Sequence, residues 1–413
     1  MNIALLDILR CPFCGGRLEL VVTMFHRATG DVIHDGILGC HCCIFPVVDG
    51  IPVLHLRADA IAARDHIDGG RPQLALRAMV GLEDDAQAEQ FEAAASRPSS
   101  TYKEIVEALG PGFEGGYFLY RFSDPTFIVA HAVVRAVART VLGGRRRAID
   151  ICGGSGHLTR ALLDLSSPAP VLADLFFPKV WLARRFTAPG CDPVCCDGNS
   201  PMPFARGAFG YAMCSDAFQY IWTKRLFIGE MARLVDGATP GAVVVNHTHN
   251  QLTWSPSHGQ PLSPAGYADL FETLPARIYG EAGLFAEVVA DGSVDLGRHD
   301  SAEHVNGDPA LTLVASSHPA VFGRHPAAPP PVTGEYRINP LYAVTDRDGV
   351  LELTLTFPDA SYEDEYGACR QYLPDTATLH RTDLDRLRAG QSPAALDELL
   401  RRRVIVELPA LYY

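Results

Sequence analysis

Ala148-Ile149-Asp150-Ile151-Cys152-Gly153-Gly154-Ser155-Gly156-His157-Leu158 is the stretch that decides the fold. A short apolar run meets an acid, then a glycine cluster, then a helical pattern from Leu158 to Leu165. The order predicts strand, tight turn and helix. The glycines let a backbone approach a ligand where a Cβ would clash. The helix start behind them offers free N–H groups. Alone, such a loop fits many dinucleotide or nucleoside sites. The text downstream narrows it. Pro170-Val171-Leu172-Ala173 reads as a second strand and ends in Asp174. A third segment carries Cys196-Asp197-Gly198-Asn199, and a fourth reads Tyr211-Ala212-Met213-Cys214-Ser215-Asp216.

Open parallel sheets bind ligands in the crevice outside the carboxyl ends of their strands. Asp150, Asp174, Asp197 and Asp216 would all stand there. Asp174 is well placed to accept from two vicinal ribose hydroxyls. The loop lacks the Gly-Lys-Ser/Thr ending that a triphosphate needs. A nicotinamide dinucleotide remains a rival, since an acid about 20 residues past the glycines belongs to that pattern too.

The order of motifs resembles class I S-adenosylmethionine-dependent methyltransferases over roughly residues 146–316. Met202-Pro203-Phe204-Ala205-Arg206-Gly207-Ala208-Phe209 is similar to a loop of that family. Glu230-Met231-Ala232-Arg233-Leu234-Val235 followed by Pro240-Gly241-Ala242-Val243-Val244-Val245 is similar to its helix, turn and fifth strand. Asp197-Gly198 and the Pro203-Phe204 loop have no counterpart in the dinucleotide pattern. The resemblance implies an α/β fold with a Rossmann-like seven-stranded methyltransferase sheet and S-adenosylmethionine as cofactor. It assigns the methionine part to Asp150 with Gly153, Gly154 and Gly156, the ribose to Asp174, and the adenine amine to Asp197 with Gly198. Two positions depart from the pattern. Cys152 replaces the usual first glycine, and Gly210 replaces the common Asp after Phe209.

Near the N-terminus, Cys11-Pro12-Phe13-Cys14 and Cys40-His41-Cys42-Cys43 form two knuckles. Four thiolates at such spacing suit tetrahedral zinc. Matching the x-x spacing of the first knuckle selects Cys11, Cys14, Cys40 and Cys43, with Cys42 spare. No signal peptide precedes them, so a reducing, cytoplasmic compartment is expected, which favours metal over disulfides. Leu5–Pro12 with Phe45–Leu54 resembles the small zinc-ribbon protein that activates several tRNA, rRNA and release-factor methyltransferases. That resemblance implies a structural Zn2+ with all four positions filled by protein.

The chain has 413 residues, a formal net charge of -13 and 47% hydrophobic residues. That length allows two or three domains, and no apolar run is long enough to span a membrane. The acidic balance argues against a large nucleic-acid footprint, which needs clustered Lys and Arg. The runs Arg145-Arg146-Arg147 and Arg401-Arg402-Arg403 are the exceptions, and solvated ends are their simpler reading. The boundaries expected are a zinc ribbon at 1–56, a helical lid or cap at 57–145, and the methyltransferase domain at 146–317. A Pro-rich linker at 318–334 follows, then a C-terminal α+β domain at 335–413 that could be winged-helix-like.

In the resembled family, segments ahead of the first strand often cover the acceptor pocket. Tyr117, Tyr120 and Arg121 are therefore substrate-contact candidates, or they simply pack helices on the sheet. After the fifth strand comes Asn246-His247-Thr248-His249-Asn250. Two histidines at i and i+2 on a strand point to one side. An oxygen acceptor must lose a proton as it attacks a sulfonium methyl, and His suits that near neutral pH. His247 and His249 are the candidate bases, with Asp216 as the alternative. Tyr220 and His258 are further candidates on the acceptor side, and His157 would line the cofactor loop. The function expected is methylation of a hydroxyl of a small molecule or glycan in specialised metabolism. Methylation of RNA or a translation factor is the alternative suggested by the ribbon. A non-catalytic scaffold is the third reading, and a homodimer is left open.

Overall fold

The computed structural model describes residues 1–110, 115–255, 259–327, 329 and 331–413. Seven strands make its main sheet: β1 Ala148–Ile151, β2 Val171–Asp174, β3 Asp192–Cys195, β4 Tyr211–Ser215, β5 Ala242–His249, β6 Ala276–Gly280 and β7 Ala310–Ser316. Their order across the sheet is β6-β7-β5-β4-β1-β2-β3. Strands β1 to β5 pair in parallel, and β7 runs antiparallel to both β5 and β6. Strands β1 and β2 are buried along their whole length, as expected of parallel strands covered on both faces. The strand order reverses between β1 and β4, which opens a crevice at their carboxyl ends. The chain therefore has a Rossmann-like, seven-stranded mixed sheet, as its resemblance implied.

Helices α1 Ala58–Asp68, α2 Pro72–Val80, α3 Asp85–Ser96, α4 Tyr102–Leu109, α5 Gly115–Tyr120 and α6 Phe127–Leu142 precede the sheet. Helix α4 starts with a reciprocal cap: the Thr101 hydroxyl accepts from Glu104 N–H while the Glu104 carboxylate accepts from Thr101 N–H. Helix α6 is apolar on nearly every side and lies against the sheet. Its buried Arg135 is held by both carboxylate oxygens of Asp164, at 2.6 and 2.8 Å. Helices α7 Phe177–Leu182, α8 Lys224–Val235, α9 Pro264–Ala268 and α10 Glu281–Asp291 complete the layers.

The helix expected from Leu158 to Leu165 is instead a single 3-10 turn, Thr159–Leu162. The Thr159 hydroxyl is drawn to Asp150 at 2.6 Å, and the Ser166-Ser167-Pro168-Ala169-Pro170 run prevents propagation. The glycine loop thus has no long helix behind it.

The N-terminal ribbon is a five-stranded antiparallel unit. It docks by its backbone on the free edge of the main sheet. Val53 bridges Cys195 in parallel, and Leu54 N–H donates to Cys195 O at 2.7 Å. Arg10 N–H donates to Pro203 O at 2.9 Å, and Ala205 N–H donates to Ile8 O at 2.8 Å. Leu5, Leu9, Phe45 and Leu54 share one apolar core with Phe204, Phe209 and Met231. The ribbon therefore covers an edge that would otherwise be open to pairing.

The C-terminal part has a three-stranded sheet, Tyr342–Arg347, Val350–Leu355 and Thr376–His380, and a strand pair, Glu335–Ile338 with Ile405–Leu408. Helices α11 Ala360–Tyr366, α12 Arg381–Arg388 and α13 Asp397–Arg401 pack with them. The last residues return to the centre of the molecule. Tyr102 and Lys103 N–H groups donate to Leu411 O and Tyr412 O. Among the described residues no helix is long and apolar enough to cross a membrane.

Candidate functional site

Asp150 ends β1 with its side chain wholly enclosed. One carboxylate oxygen accepts from Thr159, and the other, Oδ1, is buried with no partner. Burial pushes its pKa up to about 7, against the Thr159 hydrogen bond and with help from Asp174. A buried carboxyl short of a donor is costly unless something donates to it. Gly153 must be glycine here, because a Cβ would stand 2.6 Å from the Asp150 carboxylate. Gly154 has φ +55, and Phe118 of α5 roofs it. Gly154 N–H donates to Asp174 Oδ2 at 2.9 Å, and Phe176 N–H donates to Oδ1 at 2.9 Å. Each Asp174 oxygen keeps a lone pair beyond these contacts. Asp197 Oδ1 accepts from Asn199 N–H at 2.8 Å, which shapes the loop after β3. Gly198 lies against Cys152, Ile221 and Phe227.

His157 lies against the glycine loop, with Nδ1 3.3 Å from the Ser155 hydroxyl. It is buried among Tyr102, Phe118, Phe122 and Tyr412, with Nε2 2.7 Å from the Tyr412 hydroxyl. Burial and the Arg121 charge hold its pKa down at about 3.

The second group of side chains sits one and two strands from β1. Asp216 follows β4, and His247 and His249 end β5. The three each offer one ligand atom, and these atoms lie within 4.8 Å of one another. The strand alternation that motivated the pair is interrupted: His247 has φ +48, and the register shifts between Val245 and Thr248. The bulge still brings both rings to Asp216, which itself has φ +53. Positive φ at two non-glycine residues costs energy, and such strain concentrates at functional sites.

Each imidazole is fixed through Nδ1. His247 Nδ1 meets Glu281 Oε2 at 2.7 Å, and His249 Nδ1 meets the Ser255 hydroxyl at 2.9 Å. Glu281 is buried and also accepts from His247 N–H and the Thr312 hydroxyl, both at 2.8 Å. Burial lowers the His247 pKa, but the Glu281 charge and hydrogen bond outweigh it and raise it to about 9. Burial and the His247 charge lower that of His249. Burial raises the Asp216 pKa, but the Arg121 and His247 charges prevail and hold it below the usual carboxylate range.

The lid residues divide. The Tyr117 hydroxyl donates to Asp216 Oδ2 at 2.5 Å, and Arg121 lies 3.3 Å from the same oxygen and 3.2 Å from Asp124. Tyr120 instead packs on Tyr362 of the C-terminal part. Tyr220 is 52% exposed at the mouth of the crevice. His258 lies outside the described residues. Sequence reasoning did not single out Glu281, Ser255, Thr312 and Gln219, whose amide donates to Asp216 Oδ1 at 3.3 Å. Glu281 stands directly after β6, and an acid at a strand end was the signal that could have found it.

The thiol cluster is Cys11, Cys14, Cys40 and Cys42, not Cys43. The Cys40–Cys43 turn explains the change. Cys40 N–H donates to Cys43 O, so Cys43 leads directly into the strand Ile44–Val48, with its sulfur 3.4 Å from that of Cys42 but outside the set of four. Cys42 stays exposed at the tip, with its sulfur 3.6 Å from that of Cys11 and 3.5 Å from that of Cys40. The donor set and its spacing fit a tetrahedral ion such as zinc.

No protein-family model matches the chain, and no curated protein matches it. Solved structures resemble its fold. A chain of the complex between the Haloferax volcanii Trm112 methyltransferase activator and its methyltransferase is 18% identical, with 57% of this chain and 98% of that one covered, at a TM-score of 0.35. A Thermotoga maritima S-adenosylmethionine-dependent methyltransferase is 12% identical, with 52% and 96% covered and a TM-score of 0.32. One from Mesorhizobium loti is 12% identical, with 43% and 92% covered and a TM-score of 0.31. Likeness at this level concerns the fold alone and says nothing of the substrate.

Proposed function

We propose that the protein is an S-adenosylmethionine-dependent methyltransferase acting on an oxygen acceptor, a small molecule or glycan. The observation that carries this reading is the pair of buried acids, Asp150 and Asp174, flanking a glycine loop at the sheet's switch point, with Asp150 Oδ1 lacking a donor. Enclosed beneath Gly153, Asp150 would shape the glycine loop that holds the methionine part. Asp174 would take the ribose hydroxyls and Asp197 the adenine amine. The bound cofactor supplies an electrophilic methyl group. The protein's part is to position the acceptor, exclude water and remove its proton.

Asp216, His247 and His249 would receive the acceptor hydroxyl, under a lid that places Tyr117 and Arg121 beside it. Aromatic residues Phe176, Tyr220, Trp222 and Trp254 are 53%, 52%, 75% and 81% exposed on loops after β2, β4 and β5. Exposed rings of this kind give flat apolar faces for a sugar or a polycyclic acceptor. The basic runs do not favour a nucleic acid. Arg146 is spent on the carbonyls of Val141, Phe209, Thr239 and Pro240, Arg147 pairs with Asp192, and Arg403 lies against Phe127. The ribbon fits the role of an attached stabiliser, with a structural zinc in its thiol cluster. Incubation with methyl-labelled cofactor and a panel of glycan and phenolic acceptors tests the reading. Label transferred only to RNA or protein would overturn the acceptor class.

A further inference from the structure

We propose that Asp216, His247 and His249 bind a divalent first-row transition-metal ion, through Nε2 of each imidazole and one carboxylate oxygen, and that this ion takes the acceptor oxygen. The ion's role rests on the methyl-transfer reading; its binding does not.

Four observations support the site. Ligand atoms about 2.1 Å from an ion lie roughly 3–4 Å apart, and the trio brings one ring nitrogen of each histidine and a carboxylate oxygen within 4.8 Å of one another. Both rings are held by Nδ1, through Glu281 and Ser255, which leaves each Nε2 as the ligating atom. A carboxylate behind a histidine is the usual outer partner of a metal-bound imidazole. Next, placement: the carboxylates of Asp216 and Glu281 both face the His247 ring, so the imidazoles stand between acidic groups from two strand ends. Last, buried oxygens beside the trio lack partners: Gln219 Oε1 and Asn246 Oδ1, on residues with no exposed surface, and Ser215 Oγ. Buried polar atoms without partners are uncommon, and here they fall on residues flanking the trio.

The donor set selects the metal class. Two imidazoles and a carboxylate suit manganese, iron, cobalt, nickel or zinc, whereas magnesium and calcium prefer all-oxygen shells. Three protein ligands leave positions open. An acceptor hydroxyl bound there loses its proton to solvent more readily. Its lone pair then forms the O–CH3 bond as the C–S bond of the sulfonium breaks. That electron pair stays on sulfur, and a neutral thioether leaves.

Cobalt(II) separates the two clusters, since thiolate ligation gives intense near-ultraviolet absorption and nitrogen–oxygen ligation only weak visible bands. Full-length protein should hold about two cobalt ions per chain. Cys14→Ser with Cys42→Ser should keep one ion without the thiolate band. His247→Gln with His249→Gln, and separately Asp216→Asn, should keep only the thiolate-bound ion, with circular dichroism as for the parent. About one ion per chain, all of it thiolate-bound, would overturn the proposal. So would a second ion that survives every trio variant. Calorimetric titration of S-adenosylmethionine into the same samples distinguishes the two readings: two cobalt ions without cofactor binding would sink the methyl-transfer role and leave the metal site standing.

Discussion

The two ligand clusters of this molecule are built in opposite ways. The thiols of Cys11, Cys14, Cys40 and Cys42 come from two turns of one small ribbon and stand largely at the surface. Asp216, His247 and His249 come from two strands of the main sheet and are held by residues from Tyr117 to Glu281. The first cluster is local and can form once the ribbon does. The second exists only when the whole sheet, lid and helix α10 are in place. The second also carries strain, with positive φ at Asp216 and His247. The difference suggests that the thiols serve stability and the trio serves chemistry.

The largest effect should come from the thiols. Cys11→Ser with Cys14→Ser removes ligands whose metal is worth several kcal/mol of folding free energy in small zinc domains. It also loosens the ribbon from the β3 edge. A drop in melting temperature of roughly 10 °C or more is expected by scanning calorimetry. An unchanged Tm would mean the cluster holds nothing together.

The trio should behave in the opposite sense. His247→Gln with His249→Gln should lower turnover about 100-fold, the low end of what acid–base or metal assistance contributes. Cofactor affinity should stay within about twofold, because no trio residue touches the glycine loop. Lost affinity with normal turnover would reverse the assignment of roles.

A pH series sharpens the contrast further. His157 is buried and His131 half-buried, and desolvation chiefly holds the pKa of each near 3. Unfolding frees each to take a proton with a pKa of about 6.5. The unfolded state then binds more protons below that pH, so stability is full above it and falls as pH drops toward 3. The slope is about 1.4 kcal/mol per pH unit for each histidine. Urea midpoints at pH 7.5 and 5.5 measure it, and His157→Gln should flatten the dependence. Asp150 and His247, whose pKa values are raised, act in the opposite sense over this range, so the readout is the difference between parent and variant, and an identical pH dependence of the two would contradict the buried cage around His157.

The smallest effect belongs to exposed ion pairs far from either cluster. Arg206 and Asp236 are 64% and 63% exposed, and Arg206→Ala should change stability by less than about 0.5 kcal/mol in urea titrations. A larger loss would show that the loop beside the ribbon carries more than packing.

Much of the crevice proposed for the cofactor was legible in the sequence, because glycines and acids at strand ends are local signals. Asp150, Asp174 and the glycine loop stand where the strand pattern put them. The helix expected behind the loop was not, since Thr159 and the Ser-Pro run compete with helix propagation only once Asp150 is in place. Cys43 was preferred to Cys42 because spacing was counted without the backbone turn that commits Cys43 to a strand. The histidine pair was found by an alternation that the bulge at His247 interrupts. Its supports, Glu281 and Ser255, were invisible because they lie 34 and 6 residues from their partners and carry no shared motif. The chain end gave no sign that Tyr412 would reach His157 across 255 residues.

The central claim is that the Asp150–Asp174 crevice binds S-adenosylmethionine, and calorimetric titration of full-length protein tests it most directly. The account predicts binding of about one equivalent of S-adenosylmethionine or its demethylated product per chain, weakened at least tenfold by Asp174→Ala, with a nicotinamide dinucleotide giving no heat. No binding of either the sulfonium cofactor or its thioether product, or binding of the dinucleotide that Asp174→Ala abolishes, would contradict it.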